Sequence, residues 1–247
     1  MNLTVTGIVL EARLSGESDR VCTILTDSRG VIHAVARGAR NMKNKKVALA
    51  ALFAYGQFVL FRKKDIYVID EFSQEMMFMG LREDLFRLTV AQYLCQLALE
   101  LLPDEQPAEE FLPLLRAALW YLSENTRPPL LVKAAAEMRM MSLAGYMPDL
   151  VMCTSCGAYE HDAMYFSPAK GCLRCGSCGA GEKSFSQCLG RGAMTALRHT
   201  VYADAKKLFA FSLGGESLKQ LSAATEAYVK TKLEKNLTTL AFLRTLM

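Results

Sequence analysis

Eight cysteines stand in this 247-residue chain, and four of them have the spacing of a metal site. Cys153-Thr-Ser-Cys156 and Cys175-Gly-Ser-Cys178 are two C-x-x-C knuckles separated by 18 residues. Each tight turn presents two thiolates together, with Gly157 and Gly179 just beyond to let the backbone reverse. Four thiolates fill the tetrahedral shell of one Zn²⁺ and leave no position for water, so the expected role is structural. Ligation can supply about 10–16 kcal/mol of apparent folding free energy. The Cys- and Gly-rich stretch 151–182, too polar to build an apolar core, needs it. Cys172-Leu-Arg-Cys175 is a third C-x-x-C, so whether Cys172 can replace a ligand stays open, and a redox-active dithiol is the main competitor. Cys22, Cys95 and Cys188 stand alone in strand or helix patterns and read as small core residues.

A second chemistry lies upstream. Between Arg29 and Lys46 there are six cations (Arg29, Arg37, Arg40, Lys43, Lys45 and Lys46) and no acid, and Arg62-Lys63-Lys64 adds three more. A cationic groove with aromatic stacking residues is how small barrels hold single strands. Phe53, Tyr55, Phe58 and Tyr67 are candidates for stacking or for packing, and periodicity does not choose between them. The competing reading is a solvated charge run.

Other motifs fail. Gly176–Ser184 resembles a phosphate loop, but Glu182 interrupts the Gly-Lys-Ser/Thr ending and no strand precedes it. No G-x-S-x-G elbow and no H-x-E before a P-C-x-x-C is present. His33, His161 and His199 are scattered, and no catalytic residue is assigned. The start, Met1–Gly7, has no basic segment before an apolar block and predicts no export signal. No apolar stretch has the length and purity to span a bilayer. A cytoplasmic location follows, where thiols stay reduced. With 51% hydrophobic and 22% charged residues, the composition excludes disordered and collagen-like chains.

These residues must be positioned by elements of two kinds. Thr4–Arg13, Arg20–Thr26, Val31–Ala36, Tyr55–Phe61 and Tyr67–Phe72 are short β runs rich in Val, Ile, Thr, Tyr and Phe. The link 37–54 contains a candidate short helix, Val47–Phe53. Five strands with a helical link after the third is the layout of an OB-type barrel, in competition with other small barrels or an α+β sheet. From Leu81 the period becomes helical, with helices expected up to Pro103, over Pro107–Ser123 and over Leu130–Ala144. Helical patterns resume at Leu189, clearest over Ala203–Phe211, Gly215–Leu233 and Leu237–Leu246.

Together these pieces resemble the RecO family of bacterial DNA-repair mediators over nearly the whole chain. The resemblance is carried by Ala36-Arg37-Gly38-Ala39-Arg40, by Leu143-Ala-Gly145-Tyr146-Met-Pro148-Asp-Leu150 running into Cys153-x-x-Cys156-Gly157, by Phe166-Ser167-Pro168 before the second knuckle, and by the closing Lys235–Leu246. It implies an α+β multidomain chain. An OB-fold barrel would span 1–78, a helical domain 79–150 and 183–247, and an inserted Cys₄ zinc motif 151–182. It implies one structural Zn²⁺ on Cys153, Cys156, Cys175 and Cys178, since Cys172 falls where the family usually has Gly. The activity implied is non-enzymatic: binding single- and double-stranded DNA, annealing complementary strands, and helping load RecA together with RecR and the single-strand binding protein SSB. DNA contacts are expected at Arg29, Arg37, Arg40, Lys43, Lys45 and Lys46, in a cytoplasmic, nucleoid-associated protein without a membrane. The alternative is a zinc-stabilised interaction adaptor that does not touch DNA.

The net charge of +4 divides unevenly. Residues 1–72 hold 11 Lys+Arg against 7 Asp+Glu, and residues 73–247 hold 18 against 18. The expectation is a DNA-facing barrel with a neutral scaffold behind it.

Overall fold

The computed structural model describes residues 2–39, 51–63 and 66–247. The chain divides into two compact units, residues 1–124 and 125–247. None of the described helices is long and apolar enough to cross a membrane.

The first unit starts with five strands: β1 (Asn2–Ser15), β2 (Asp19–Thr26), β3 (Gly30–Ala36), β4 (Tyr55–Lys63) and β5 (Ile66–Met76). They close into a barrel in the order β1-β2-β3-β5-β4, antiparallel except where β3 meets β5. The long β1 makes closure possible. Its first half pairs with β4 (Asn2↔Phe61 to Ile8↔Tyr55), its second half with β2, and a bulge between Val9 and Glu11 turns it from one partner to the other. Alternate residues point inward, so Val5, Val9, Cys22, Ile24, Ile32, Phe58, Leu60 and Ile69 fill the interior. This is the OB-type layout expected from the turn spacing. Of the expected helix Val47–Phe53, residues 47–50 lie outside the described residues, and Ala51–Phe53 lies in a bend and turn.

Helix α1 (Leu85–Leu101) follows, capped by the Asp84 carboxylate, which accepts from the Arg87 N–H at 2.7 Å. Helix α2 (Phe111–Glu124) returns beside it. The buried Arg87 guanidinium donates to the carbonyls of Leu122 and Ser123, both at 3.3 Å, and so ties the start of α1 to the end of α2. The link between the helices runs along the barrel: Asp104 bridges Val31, and the Glu105 N–H donates to the Val31 carbonyl at 2.9 Å. Gly30 permits this approach. Its φ is +61°, and a Cβ there would sit 1.8 Å from the Gln106 carbonyl oxygen.

The second unit packs helices α3 (Pro129–Leu143), α5 (Arg191–Tyr202), α6 (Gly215–Leu233) and α7 (Thr238–Thr245) with a four-stranded sheet. The sheet comprises β6 (Asp149–Cys153), β7 (Ala163–Ser167), β8 (Cys172–Cys175) and β9 (Gln187–Gly190), in the order β6-β8-β7-β9; the short turn α4 (Gly176–Gly179) follows β8. Met164, Phe166, Leu173 and Leu189 are buried, and Phe166 lies 5.5 Å from the Tyr228 ring of α6, so the sheet covers apolar side chains with the helices beside it. Between α3, α6 and α7 lies a buried ion network. Lys133 reaches Glu137 at 2.9 Å and Glu226 at 3.1 Å, Arg244 donates to Glu226 at 2.6 Å, and Thr225 donates to Glu137 at 2.7 Å. Two cations balance two acids, which offsets part of the penalty for burying Lys133. The helix expected over Ala203–Phe211 is instead a single 3₁₀ turn, Ala205–Lys207. Arg139 takes the carbonyls of Thr200 and Ala203 where α5 ends, and Asp204 caps the turn through the Lys206 N–H.

Candidate metal centre and nucleic-acid interface

Strands β6 and β8 each end on a cysteine and place the two knuckles side by side. After Cys153 the chain reverses at Gly157, whose φ is +74° and whose N–H donates to the Cys153 carbonyl at 2.9 Å. Thr154 fastens this knuckle to β8 by giving both its N–H (2.9 Å) and its hydroxyl (3.0 Å) to the Leu173 carbonyl. The second knuckle turns through α4. Gly179 there serves close packing rather than reversal, because a Cβ would meet Arg174 and Tyr165 at 2.9 and 3.1 Å.

The Sγ atoms of Cys153, Cys156, Cys175 and Cys178 all lie within 4.8 Å of one another, and Cys156 and Cys175 are 3.6 Å apart. A tetrahedral ion with metal–sulfur bonds of about 2.3 Å needs sulfurs roughly 3.8 Å apart, so the cluster can hold one metal ion. It is far too open to be a disulfide. Burial raises the Cys153 thiol, but N–H donors from Cys175, Cys156 and Ser155 outweigh it and hold the group at about 6. The neighbouring thiols of Cys175 and Cys156 push Cys178 up to about 12. Four thiolates repel one another, and a dication is what lets them ionise together. Cys172 is outside the group: three residues before Cys175 on one strand, it belongs to the opposite face of the sheet.

The other cysteines divide. Cys22 and Cys95 are buried, but Cys188 is exposed on β9, which corrects its reading as a core residue. It sits opposite Tyr165 on the outer face, where an edge strand leaves a small side chain uncovered.

The border of β6 is closed by side chains that the sequence reading missed. The Leu150 N–H donates to the Tyr202 hydroxyl at 2.9 Å, and the Val151 N–H to Asp149 at 3.2 Å. Arg198 donates to the carbonyls of Leu150 and Tyr159 at 2.8 and 2.6 Å and lies 4.0 Å over the Tyr159 ring. Arg198 and Tyr202 are four apart on α5, a helical signal without meaning until β6 is known to lie beside it.

On the barrel, Arg37 is exposed where β3 ends. Its position is held by the next residue: Gly38 donates its N–H to the Asp19 carboxylate at 2.8 Å. Arg62 and Lys63 are also exposed, at the end of β4, with Arg62 over Tyr67 at 5.6 Å. Tyr67 stands opposite Arg62 on β4 and Ala34 on β3, and Arg37 lies three residues beyond Ala34. Arg29 lies at the other end of β3, in the turn before it, eight residues and about 26 Å from Arg37. Asp27 shares that turn, and Asp104 and Glu105 of the α1–α2 link bond the nearby Val31 backbone. Arg40, Lys43, Lys45 and Lys46 lie outside the described residues, as does Lys64. Phe53, Tyr55, Phe58 and Tyr67 are all under 10% exposed; Phe58 and Tyr67 belong to the barrel core, and the Tyr55 hydroxyl accepts from Arg116 of α2 at 3.2 Å. His33 bonds Thr23 and Asp104, His161 bonds Ser177, and His199 bonds the Lys207 carbonyl.

The sequence is similar to those of known proteins. A family model described as Recombination protein O N terminal matches residues 1–77, and one described as Recombination protein O C terminal matches residues 82–241. A DNA repair protein RecO of Acetivibrio thermocellus is 36% identical over 244 residues, covering 99% of this chain and 97% of that one. One from Symbiobacterium thermophilum is 31% identical, covering 98% of this chain and 96% of the relative. One from Thermoanaerobacter sp. is 30% identical, covering 94% and 93%. With matches across both units and at both ends, the chain belongs to the RecO family of DNA-repair proteins.

Proposed function

We propose that the protein is a non-enzymatic mediator of DNA repair and homologous recombination. It binds single- and double-stranded DNA, anneals complementary strands and, with RecR and SSB, helps load RecA onto SSB-coated DNA. The observation that carries this reading is the set of exposed cations near the ends of β3 and β4, Arg37, Arg62 and Lys63, on a closed barrel. Such a surface engages phosphates. It screens the repulsion between two strands by counterion release and leaves recognition to base pairing. Arg40, Lys43, Lys45 and Lys46 extend the contact in this reading, and Arg29 contributes least because it stands at the other end of β3. Annealing makes no covalent bond and asks for no catalytic group.

The same reading assigns one structural Zn²⁺ to Cys153, Cys156, Cys175 and Cys178. Four thiolates suit zinc and close its coordination, so the ion holds the two knuckles together and leaves nothing for substrate. Functionally, residues 1–78 form the DNA-binding barrel, 79–150 and 183–247 the helical domain, and 151–182 the metal-bound insertion. The protein works in the cytoplasm, on the nucleoid.

Annealing of SSB-coated complementary oligonucleotides tests the proposal. The protein should accelerate it, and single-strand affinity should fall with salt on a log–log slope near −4 for about six phosphate contacts. Replacing Arg37, Arg62 and Lys63 with Gln should flatten that slope. A salt-independent affinity, or partner capture with no direct DNA binding, would favour the adaptor reading instead.

A further inference from the structure

The neutral balance of residues 73–247 is a cancellation. Residues 73–124, which include the helical part of the first unit, hold 3 Lys+Arg against 9 Asp+Glu; the second unit, 125–247, holds 15 against 9. The excess of positive charge thus lies on the unit without the barrel, at +6. Even a zinc site with four thiolates leaves that unit cationic.

Part of this charge is gathered at one place. The turn between β7 and β8 carries Lys170, whose ammonium lies 5.2 Å from the Phe185 ring centre, and Arg174 on β8 lies over the same ring at 4.7 Å. The end of α6 reaches the same turn. Lys232 donates to the Ala169 carbonyl at 2.8 Å and sits 5.6 Å over Tyr228. Tyr228 and Lys232 fall on one helical face, and Lys235 follows just beyond the helix, which ends at Leu233. Lys230, two residues from Lys232, points some 200° around the helix and away from it.

What fixes these cations matters. Arg174 is paired with Glu182, Glu234 follows Lys232 in the chain, and Asp149 bonds the same turn through its N–H to the Gly171 carbonyl at 2.8 Å. No ion pair among the described residues engages Lys170 or Lys232. Aromatic faces and a backbone carbonyl hold them, and these orient a cation without cancelling its charge. Phe185 and Tyr228 are buried, so they brace the lysines and leave no ring for a base to stack on. Positioned cations on a positive unit, with Lys170 and Lys232 in no ion pair among the described residues, suit a phosphate backbone.

We infer that Lys170, Arg174, Lys232 and Lys235 form a second nucleic-acid contact, a sequence-indifferent site for the sugar-phosphate backbone of a DNA strand. The inference rests on the annealing reading above and deepens it, because each unit then holds a strand of its own.

The test uses the full-length, metal-loaded protein and thymidine oligomers of about eight nucleotides, short enough for one site. Titration should reach two oligomers per chain in the wild type. It should reach one in the Lys170→Gln, Lys232→Gln, Lys235→Gln variant, with annealing slowed about tenfold or more and the salt slope of the lost site gone. Lys170→Glu alone, on an exposed turn, repeats the test without touching the bond from Lys232 to Ala169. Lys230→Gln should behave as wild type. Wild-type stoichiometry and annealing in both Lys170 variants would overturn the inference while leaving the barrel reading intact. So would a Lys230→Gln loss equal to that of the triple variant, since net charge and not this face would then be responsible. Loss of all binding in the barrel variant (Arg37, Arg62 and Lys63 to Gln) also overturns it. No oligomer bound by the wild type overturns both readings.

Discussion

The barrel and the cysteine sheet are both small β structures, but they are held together by different means. The barrel closes a complete ring of strands, with β1 serving two neighbours, around Phe58, Ile24, Ile32, Leu60 and Ile69. Its free energy comes from apolar surface removed from water and from a ladder with no open edge. The cysteine sheet has strands of only four or five residues and a few buried apolar side chains, with four thiols gathered where two of its strands end. Strands of seven or more residues can align by pairing, but strands of four cannot, and a metal ion on the four thiols would supply what pairing does not. A fold can thus carry one region that depends on solvent exclusion and another that depends on coordination.

Metal removal tests this difference most severely. A strong chelator, or Cys175→Ser, should cost the second unit on the order of 10 kcal/mol, since ligation and folding are one event in such sites. Hydrogen exchange resolves the outcome: protection should vanish over 149–190 and persist in β1–β5. If both regions lose protection together, the contrast drawn above is wrong. Phe58→Ala should do the reverse. It removes a fully buried ring that lies 4.6 Å from Phe72, for about 3–5 kcal/mol in denaturant unfolding of the first unit, with bound metal unchanged.

A smaller effect sharpens the comparison at the functional edge of the barrel. The N–H of Gly38 and the hydroxyl of Ser18 donate to Asp19 and, with Arg37 nearby, hold its carboxyl below its usual 3.8. A depressed carboxylate contributes stability that is fully present above its unfolded value and is lost as pH falls through the lower folded value. Wild type should therefore lose an increment of barrel stability below about pH 4, and Asp19→Asn should lack that increment. A variant with the same acid profile as wild type would show that Asp19 does not anchor Arg37-Gly38.

Much of this was legible from residues alone, for identifiable reasons. The barrel strands alternate with period two and are punctuated by Asp27–Gly30 and similar turns, so their limits emerge within a few residues. The cysteine pairs announce themselves because C-x-x-C spacing is set by local turn geometry. The strands of the cysteine sheet were not legible, since four residues such as Cys172–Cys175 are too few to display a period. The grouping of charge was not legible either. An acid-free run in sequence reads as one patch, yet β3 carries Arg29 and Arg37 to opposite ends, and the α1–α2 link brings acids to Val31, near Arg29. The Ala203–Phe211 segment has a helical composition, but Arg139 occupies the carbonyls that a continuing helix would use.

The sealed border of β6 has a consequence of its own. Unpaired strand edges are templates on which other chains polymerise. Here Tyr202, Asp149 and Arg198 already occupy the outward amides and carbonyls of Leu150 and Val151. That border offers an incoming strand little to pair with. Copies of the protein can then crowd together without being stitched into an aggregate along that border.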